Sequence, residues 1–226
     1  MGHAIEALAK SRGHEVGATI DNEQEWAERQ EMLTACDVAV EFSQPSTAVA
    51  NIRKCFALGL PVVVGTTGWY DLLATLKEEC LSQSRSLFVA SNFSIGMNIM
   101  FTLNKRLASL MNSRPEYEVG ITETHHIHKL DAPSGTAITL AQDAIALLDR
   151  KAVWALDAPA PETLSIHSIR EGEVPGTHTV TYDGPHDTLT LAHTAHGREG
   201  LALGAVLACE FLMGKVGFYT MEDLLG

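Results

Sequence analysis

Pro61-Val62-Val63-Val64-Gly65-Thr66-Thr67-Gly68 runs three valines straight into a glycine–threonine turn. Three β-branched residues in a row, with no polar alternation, read as a strand covered on both faces, which is how the strands of a parallel sheet are buried. The glycine–threonine run after it is a strand-to-helix turn, and residues 71–81 continue with a helical pattern. The same unit recurs on either side. Upstream, residues 38–42 (Val-Ala-Val-Glu-Phe) read as a strand and Ser43-Gln44-Pro45-Ser46 starts a helix with Val49, Ile52, Cys55 and Phe56 inward. Gly59 followed by Pro61 stops that helix. Downstream, residues 86–90 form the next strand, ending in Ser91-Asn92-Phe93-Ser94. This βαβα rhythm predicts an α/β protein with a doubly wound parallel sheet of the Rossmann type.

Closer to the start, residues 5–10 read as a helix ended by Gly13, and residues 16–20 as a short strand finishing at Asp21. An acid there, about 20 residues after a glycine fingerprint, bonds the adenosine ribose of a dinucleotide. The plain alternative is that Asp21-Asn22 is a turn. Residues 23–34 are polar and read as a short helix or loop.

The second half is organised around another stretch. Tyr117, Val119 and Ile121 alternate with Glu118, Gly120 and Thr122, the pattern of a half-buried strand. It runs into Glu123-Thr124-His125-His126-Ile127-His128-Lys129-Leu130-Asp131-Ala132-Pro133-Ser134-Gly135-Thr136-Ala137. In strand geometry Glu123 and His125 share one face, and His126 and His128 the other. Ser134 is an N-cap candidate, with Ala137, Ile138, Ala141, Ala144, Ile145 and Leu148 keeping a helical period. Free N–H groups near Gly135 and Thr136 would form an anion site at the helix start. Each feature alone is commonplace; their convergence at a strand's carboxyl end points to a functional site.

Between the two stretches, Ser94 caps a helix whose apolar stripe reads as Ile95, Ile99, Leu103, Leu107 and Leu110. Met97, Met100 and Met111 are assigned to core or subunit contacts. Past Arg150 the texture changes. Pro159-Ala160-Pro161 marks a loop, and residues 165–171, 177–182 and 188–193 read as threonine-rich strands of antiparallel hairpins. His167, His178, His186, His193 and His196 are read as strand or turn histidines, none of them a catalyst. Arg198 opens a last helical region, and residues 201–213, apolar on nearly every side, should pack back on the first domain.

A net charge of −12 argues against non-specific binding to nucleic acid or anionic membranes. An anionic substrate then needs a local positive patch, which His125, His126, His128 and Lys129 supply. Cys36, Cys55, Cys80 and Cys209 form no CxxC pair, so neither a disulfide framework nor a metal site is expected, and reduced thiols fit a cytoplasmic protein. The histidines do not fit a metal-dependent hydrolase: no HExxH occurs and strand alternation splits His125 from His126. The first residues lack a signal-peptide pattern, and residues 201–213 fall short of the ~20 needed to span a bilayer.

The run from Glu123 to Ala137 resembles the signature of the dihydrodipicolinate reductase family: Glu-Ala-His-His, a short spacer, Lys, one residue, then Asp-Ala-Pro-Ser-Gly-Thr-Ala. Thr124 in place of Ala is the one departure at those positions. The resemblance extends to Phe42-Ser43 and Pro45, to Gly65-Thr66-Thr67 and to Ala90-Ser91-Asn92-Phe93, and covers nearly the whole chain. It implies NAD(P)H-dependent reduction of a cyclic unsaturated dicarboxylate, 4-hydroxy-tetrahydrodipicolinate, in diaminopimelate and lysine biosynthesis. By the same resemblance His125 is the general acid, Lys129 its charged assistant, and His126, Gly135 and Thr136 hold substrate carboxylate. Gly65, Thr66, Thr67, Ala90, Ser91, Asn92 and Phe93 would contact the nicotinamide half of the cofactor, and Asp21 its adenosine ribose. Asn22 stands where the family often has arginine, which favours NADH over NADPH. The implied organisation is a dinucleotide-binding domain from residues 1–93 and 198–226. Into it is set a smaller α+β domain, residues 94–197, with a mostly antiparallel sheet that joins a homotetramer. Family members open with a strand and a glycine-rich loop ending in Met-Gly, and this sequence begins at that Met-Gly. The cofactor domain is therefore expected to be incomplete, and the alternative reading is a catalytically impaired fragment or a non-enzymatic NAD-binding protein.

Overall fold

The computed structural model describes all 226 residues. They fall into two compact units, Met1–Ile95 with Glu199–Gly226, and Gly96–Arg198. The first unit begins with α1 (Gly2–Ser11), α2 (Glu23–Glu28) and α3 (Gln30–Leu33). It continues through β1 (Ala39–Glu41), α4 (Pro45–Leu58), β2 (Val62–Val64), a short 3-10 turn (Tyr70–Leu72), α5 (Leu73–Ser82) and β3 (Ser86–Val89). The second carries α6 (Ile95–Met111), β4 (Glu118–His125), α7 (Gly135–Ile145), β5 (Val153–Leu156), β6 (Thr163–Arg170), β7 (Thr177–Asp183) and β8 (Thr188–Thr194). The chain then returns to the first unit as α8 (Glu199–Leu212), β9 (Gly217–Tyr219) and α9 (Met221–Leu225).

In the first unit all pairings are parallel, in the order β1-β2-β3-β9. Val62, Val63 and Val64 are fully buried, and their alternation explains why. Val62 and Val64 join Ile52, Phe56 and Leu76 of α4 and α5 on one side of the sheet. Val63 joins Ile5 of α1 and Ala202, Ala205 and Val206 of α8 on the other. A strand with helices on both faces has no polar side to show.

Helix α8 lies so close to the end of β3 that a Cβ at Gly204 would fall 1.6 Å from the Phe93 carbonyl oxygen. The obstacle is backbone, so neither side can yield by a rotamer change. Gly204→Ala is expected to cost about 3 kcal/mol or more, at or above the usual upper range for overpacking. A denaturation midpoint equal to the parent's would contradict that close approach.

Residues 16–20 are not a strand. The alternation of Val16, Ala18 and Ile20 against exposed neighbours is real, but β1 is the edge of the sheet, paired with β2 alone, and this segment takes part in no ladder. Asp21 therefore sits in an exposed loop rather than at a strand end, its N–H donating to Glu25 Oε2 at 2.9 Å. Asn22 caps α2, its Oδ1 accepting from the Glu25 N–H at 2.9 Å. The short strand β9 carries too few residues to show a period.

The second unit has a five-stranded sheet in the order β5-β6-β4-β7-β8. It is mixed rather than mostly antiparallel: β4 pairs antiparallel with β7, and β7 with β8 is an antiparallel hairpin, but β6 pairs parallel with both β4 and β5 and belongs to no hairpin. Val119, Ile121, Leu164, Ile166, Val180 and Tyr182 on one face meet Met97, Met100 and Ala108 of α6 and Ala137, Leu140, Ala141 and Ala144 of α7. The buried stripe of α6 is not the expected one. Ile99, Leu103 and Leu110 are 45%, 49% and 54% exposed, whereas Met97, Met100, Asn104 and Ala108 face the core. Apolar side chains cover more than half of this helix's circumference, so periodicity alone cannot choose its inner face. Asn104 is accommodated inside because its Nδ2 donates to the Leu140 carbonyl at 2.9 Å.

Candidate active site

Strand β4 lies at the centre of the second unit's sheet, and Val119, Ile121, Glu123 and His125 alternate as its buried residues. The inner face is thus apolar along the strand and titratable at its carboxyl end. Directly opposed residues in a sheet project to the same side. The register sets Ser168 of β6, Glu123 of β4, His178 of β7 and His193 of β8 in one row across four strands, with Arg170 beside His125 one step further on.

Glu123 is fully buried. Its Oε2 touches His125 Nδ1, and neither atom has another hydrogen-bond partner. Its Oε1 accepts from Arg170 Nη2 at 2.9 Å, and the same Nη2 donates to the Asp131 carbonyl at 2.6 Å, tying the sheet to the loop before α7. Burial pushes the Glu123 carboxyl up, but Ser168, Arg170 and His125 together outweigh it and hold the group below the usual carboxylate range. Burial also lowers the His125 pKa; Glu123 pulls it back up while Lys129 and Arg170 lower it further, and the net direction is down. Nε2 of His125 faces Gly176, where a Cβ would come within 3.0 Å.

His178 packs edge-on to His125 with ring centroids 5.0 Å apart, and its Nε2 lies 3.1 Å from Ser134 Oγ. Burial first, then His125, push its pKa down to about 4. The unfolded chain takes up that proton near pH ~6.5 and the folded one does not until far lower. The stability from keeping His178 neutral is therefore complete above about pH 6.5 and is lost as pH falls towards 4, amounting to roughly 3 kcal/mol. Urea unfolding at pH 7 and pH 4.5 measures it, and His178→Gln is expected to remove this part of the slope; an unchanged slope would contradict the assignment.

Ser134 caps α7 as its position suggests, Oγ accepting from the Ala137 N–H at 3.2 Å. Its carbonyl takes the Ile138 N–H, which leaves the amides of Gly135 and Thr136 available to an anion. Gly135 is exposed and Thr136 half-buried. Lys129 Nζ is held by both oxygens of Asp131, at 2.7 and 2.9 Å. His126 is half-buried with its Nδ1 unpartnered, and exposed His128 sits 3.2 Å from Glu173. Thus His125, Ser134 and the start of α7 come together, and Arg170, Gly176 and His178 join them without a local sequence signal. Ligand atoms of Glu123, His125 and His178 lie within 4.8 Å of one another, the spacing of a metal site. The Arg170 guanidinium on Glu123 and the Lys129 charge felt at both histidines oppose a cation there.

The cofactor candidates lie in the first unit, where β1 and β2 end. Phe42, Ser43, Pro45, Gly65, Thr66 and Thr67 line a recess of about 280 Å³. A Cβ at Gly65 would stand 2.2 Å from the Phe42 ring, so any other residue there must displace that ring or the turn. Thr66 fixes the floor: Oγ1 accepts from the Ser43 N–H at 2.8 Å, and its carbonyl accepts from Trp69 Nε1 at 2.7 Å. Ala90 and Ser91 line a second hollow of about 200 Å³. Asn92 Oδ1 accepts from the Ser94 N–H at 2.9 Å, and Phe93 is buried with its ring against Phe42 and Phe88. Open backbone at the carboxyl ends of parallel strands suits a dinucleotide.

Residues 1–93 match the family described as Dihydrodipicolinate reductase, N-terminus, and residues 96–225 the one described as Dihydrodipicolinate reductase, C-terminus. The 4-hydroxy-tetrahydrodipicolinate reductase of Christiangramia forsetii is 44% identical over 225 residues, covering 100% of this chain and 93% of that protein. Its counterpart from Akkermansia muciniphila is 38% identical over 238 residues, covering 100% and 94%. In fold, the chain superposes on dipicolinate-bound dihydrodipicolinate reductase from Paenisporosarcina sp. TG-14 with a TM-score of 0.70 at 23% identity, over 89% of this chain and 80% of that one.

Proposed function

This chain belongs to the dihydrodipicolinate reductase family, and we infer from that premise that it reduces 4-hydroxy-tetrahydrodipicolinate to tetrahydrodipicolinate with a pyridine nucleotide, in diaminopimelate and lysine biosynthesis. The observation that carries the site assignment is the buried Glu123–His125 pair, held by half-buried Arg170, beside the open amides that start α7. When bound, the reduced nicotinamide supplies the hydride.

Everything else falls to the protein. The amides of Gly135 and Thr136, with His126, take one substrate carboxylate, because free N–H groups at a helix start favour an anion. Lys129 exchanges Asp131 for a substrate carboxylate, a short-range swap for a compact ammonium. His125 gives its Nε2 proton to the ring carbon left electron-rich by reduction, work suited to an imidazole. Gly65, Thr66 and Thr67, with residues 90–93, seat the nicotinamide half of the cofactor. Asp21, an exposed acid next to Asn22, takes the adenosine ribose and disfavours a 2′-phosphate, so NADH is the preferred donor.

The sheet of the second unit carries α6 and α7 on one face and small half-buried residues such as Gly120, Thr122, Ser165, Thr179 and Thr181 on the other. That uncovered face supports a homotetramer, which sedimentation velocity reads directly. All four cysteines are free, which supports a place in the reducing cytoplasm. A non-enzymatic nucleotide-binding role is not favoured, since the relatives that span the whole chain are reductases. The direct test is nucleotide oxidation at 340 nm with freshly generated substrate. Substrate-dependent turnover with a higher kcat/KM for NADH is expected, and its absence with both nucleotides would refute the reading.

A further inference from the structure

We propose that Glu123 is the positioning residue of His125: it holds the imidazole with Nδ1–H turned inward, so that Nε2 is the atom presenting a proton to substrate, and Arg170 holds Glu123 in place. This deepens the reading given above and rests on His125 being the proton donor.

The geometry comes from strand periodicity. Residues two apart on β4 share a face, and at the end of that face stand one carboxylate and one imidazole, both more than nine-tenths buried. Glu123 Oε2 and His125 Nδ1 have only each other. An ionised carboxylate only accepts hydrogen bonds, so the proton between them resides on Nδ1. The second carboxylate oxygen is engaged by Arg170, which prevents the group from turning away. The opposite ring nitrogen meets Gly176, the one residue type that puts no side chain there.

Four charged or titratable groups face His125: Glu123 on its own strand, Arg170 on β6, His178 on β7 and Lys129 in the following loop. Of these only Glu123 favours the imidazolium. His178, kept neutral by burial, adds contact without a competing charge at neutral pH. In the transfer, the Nε2–H bond of the imidazolium breaks, its electron pair stays on nitrogen, and the proton forms the new C–H bond. The neutral ring keeps its Nδ1 proton towards Glu123 and regains the other from solvent. Glu123 itself neither gains nor loses a proton.

Two measurements test this. In the intact wild-type protein with 15N-labelled histidine, long-range nitrogen–proton correlations should find neutral His125 as the Nδ1–H tautomer; the Nε2–H tautomer overturns the proposal with no variant needed. Glu123→Gln should lower kcat by about 30- to 100-fold while KM and nucleotide affinity stay within about twofold. Loss of the anion lowers the His125 pKa, so the alkaline limb of kcat should move to lower pH by about one unit. Glu123→Asp should restore part of both, which a merely structural role would not. Near-normal turnover in His125→Gln would instead sink the underlying functional reading. A crippled His125→Gln beside a Glu123→Gln with unmoved rate and limb would sink the positioning role alone.

Discussion

His125→Gln is expected to lower turnover by about 100- to 10,000-fold, the usual worth of a positioned general acid. Glutamine keeps polarity and approximate size at a site only 8% exposed, so the folded protein should persist. Nucleotide affinity should not change, because the loss concerns a proton needed only in the chemical step. The pH profile adds a second signature. Burial lowers the His125 pKa in the free protein, so kcat/KM should fall as pH rises through a value below the ordinary ~6.5. A bound dicarboxylate brings negative charge towards His125 and favours the imidazolium. The alkaline limb of kcat should therefore lie at higher pH than that of kcat/KM. Lys129→Ala should also cost about 100-fold, but with a raised KM, since an ammonium now shared with Asp131 would hold the substrate as well. Coincident limbs, or a His125→Gln variant with near-parental turnover, would contradict these assignments.

Gly65→Ala is expected to weaken nucleotide binding by about 10- to 100-fold, the equivalent of the ~1–3 kcal/mol that overpacking costs. A methyl here would lie 2.2 Å from the Phe42 ring, which itself packs on Phe93 at 5.4 Å. Relief requires moving either the turn after β2 or the Phe42 ring, and both line the recess assigned to the cofactor. Calorimetric titration with NADH measures the loss. Unaltered affinity in a folded Gly65→Ala protein would place the nucleotide elsewhere. Phe42→Ala combined with Gly65→Ala should recover part of the affinity, because the obstacle is a side chain.

Features carried by short-range pattern were legible in the sequence, and features made by pairing were not. Val62, Val63 and Val64 announce a strand covered on both faces because burial on both sides leaves no polar position. Ser134 declares its cap because a cap is a relation among four neighbouring residues. Residues 16–20 show the limit of that logic: their alternation suits a strand, but a strand also needs a hydrogen-bonding neighbour. Arg170 and His178 reach the site through ladder register with His125 and Glu123, which no local period encodes. The inner face of α6 departs from its expected stripe for a related reason. Its isoleucine and leucines equal the methionines in apolarity, and only tertiary contact with α7 selects Met97, Met100 and Asn104.

A crystal structure with dipicolinate and oxidised nucleotide bound together tests the placement of the substrate ring between His125 and the start of α7. One ring carboxylate should rest on the Gly135 and Thr136 amides, with a ring carbon about 3–3.5 Å from His125 Nε2. Dipicolinate seated away from the start of α7, or with His125 Nε2 turned from the ring, would contradict it.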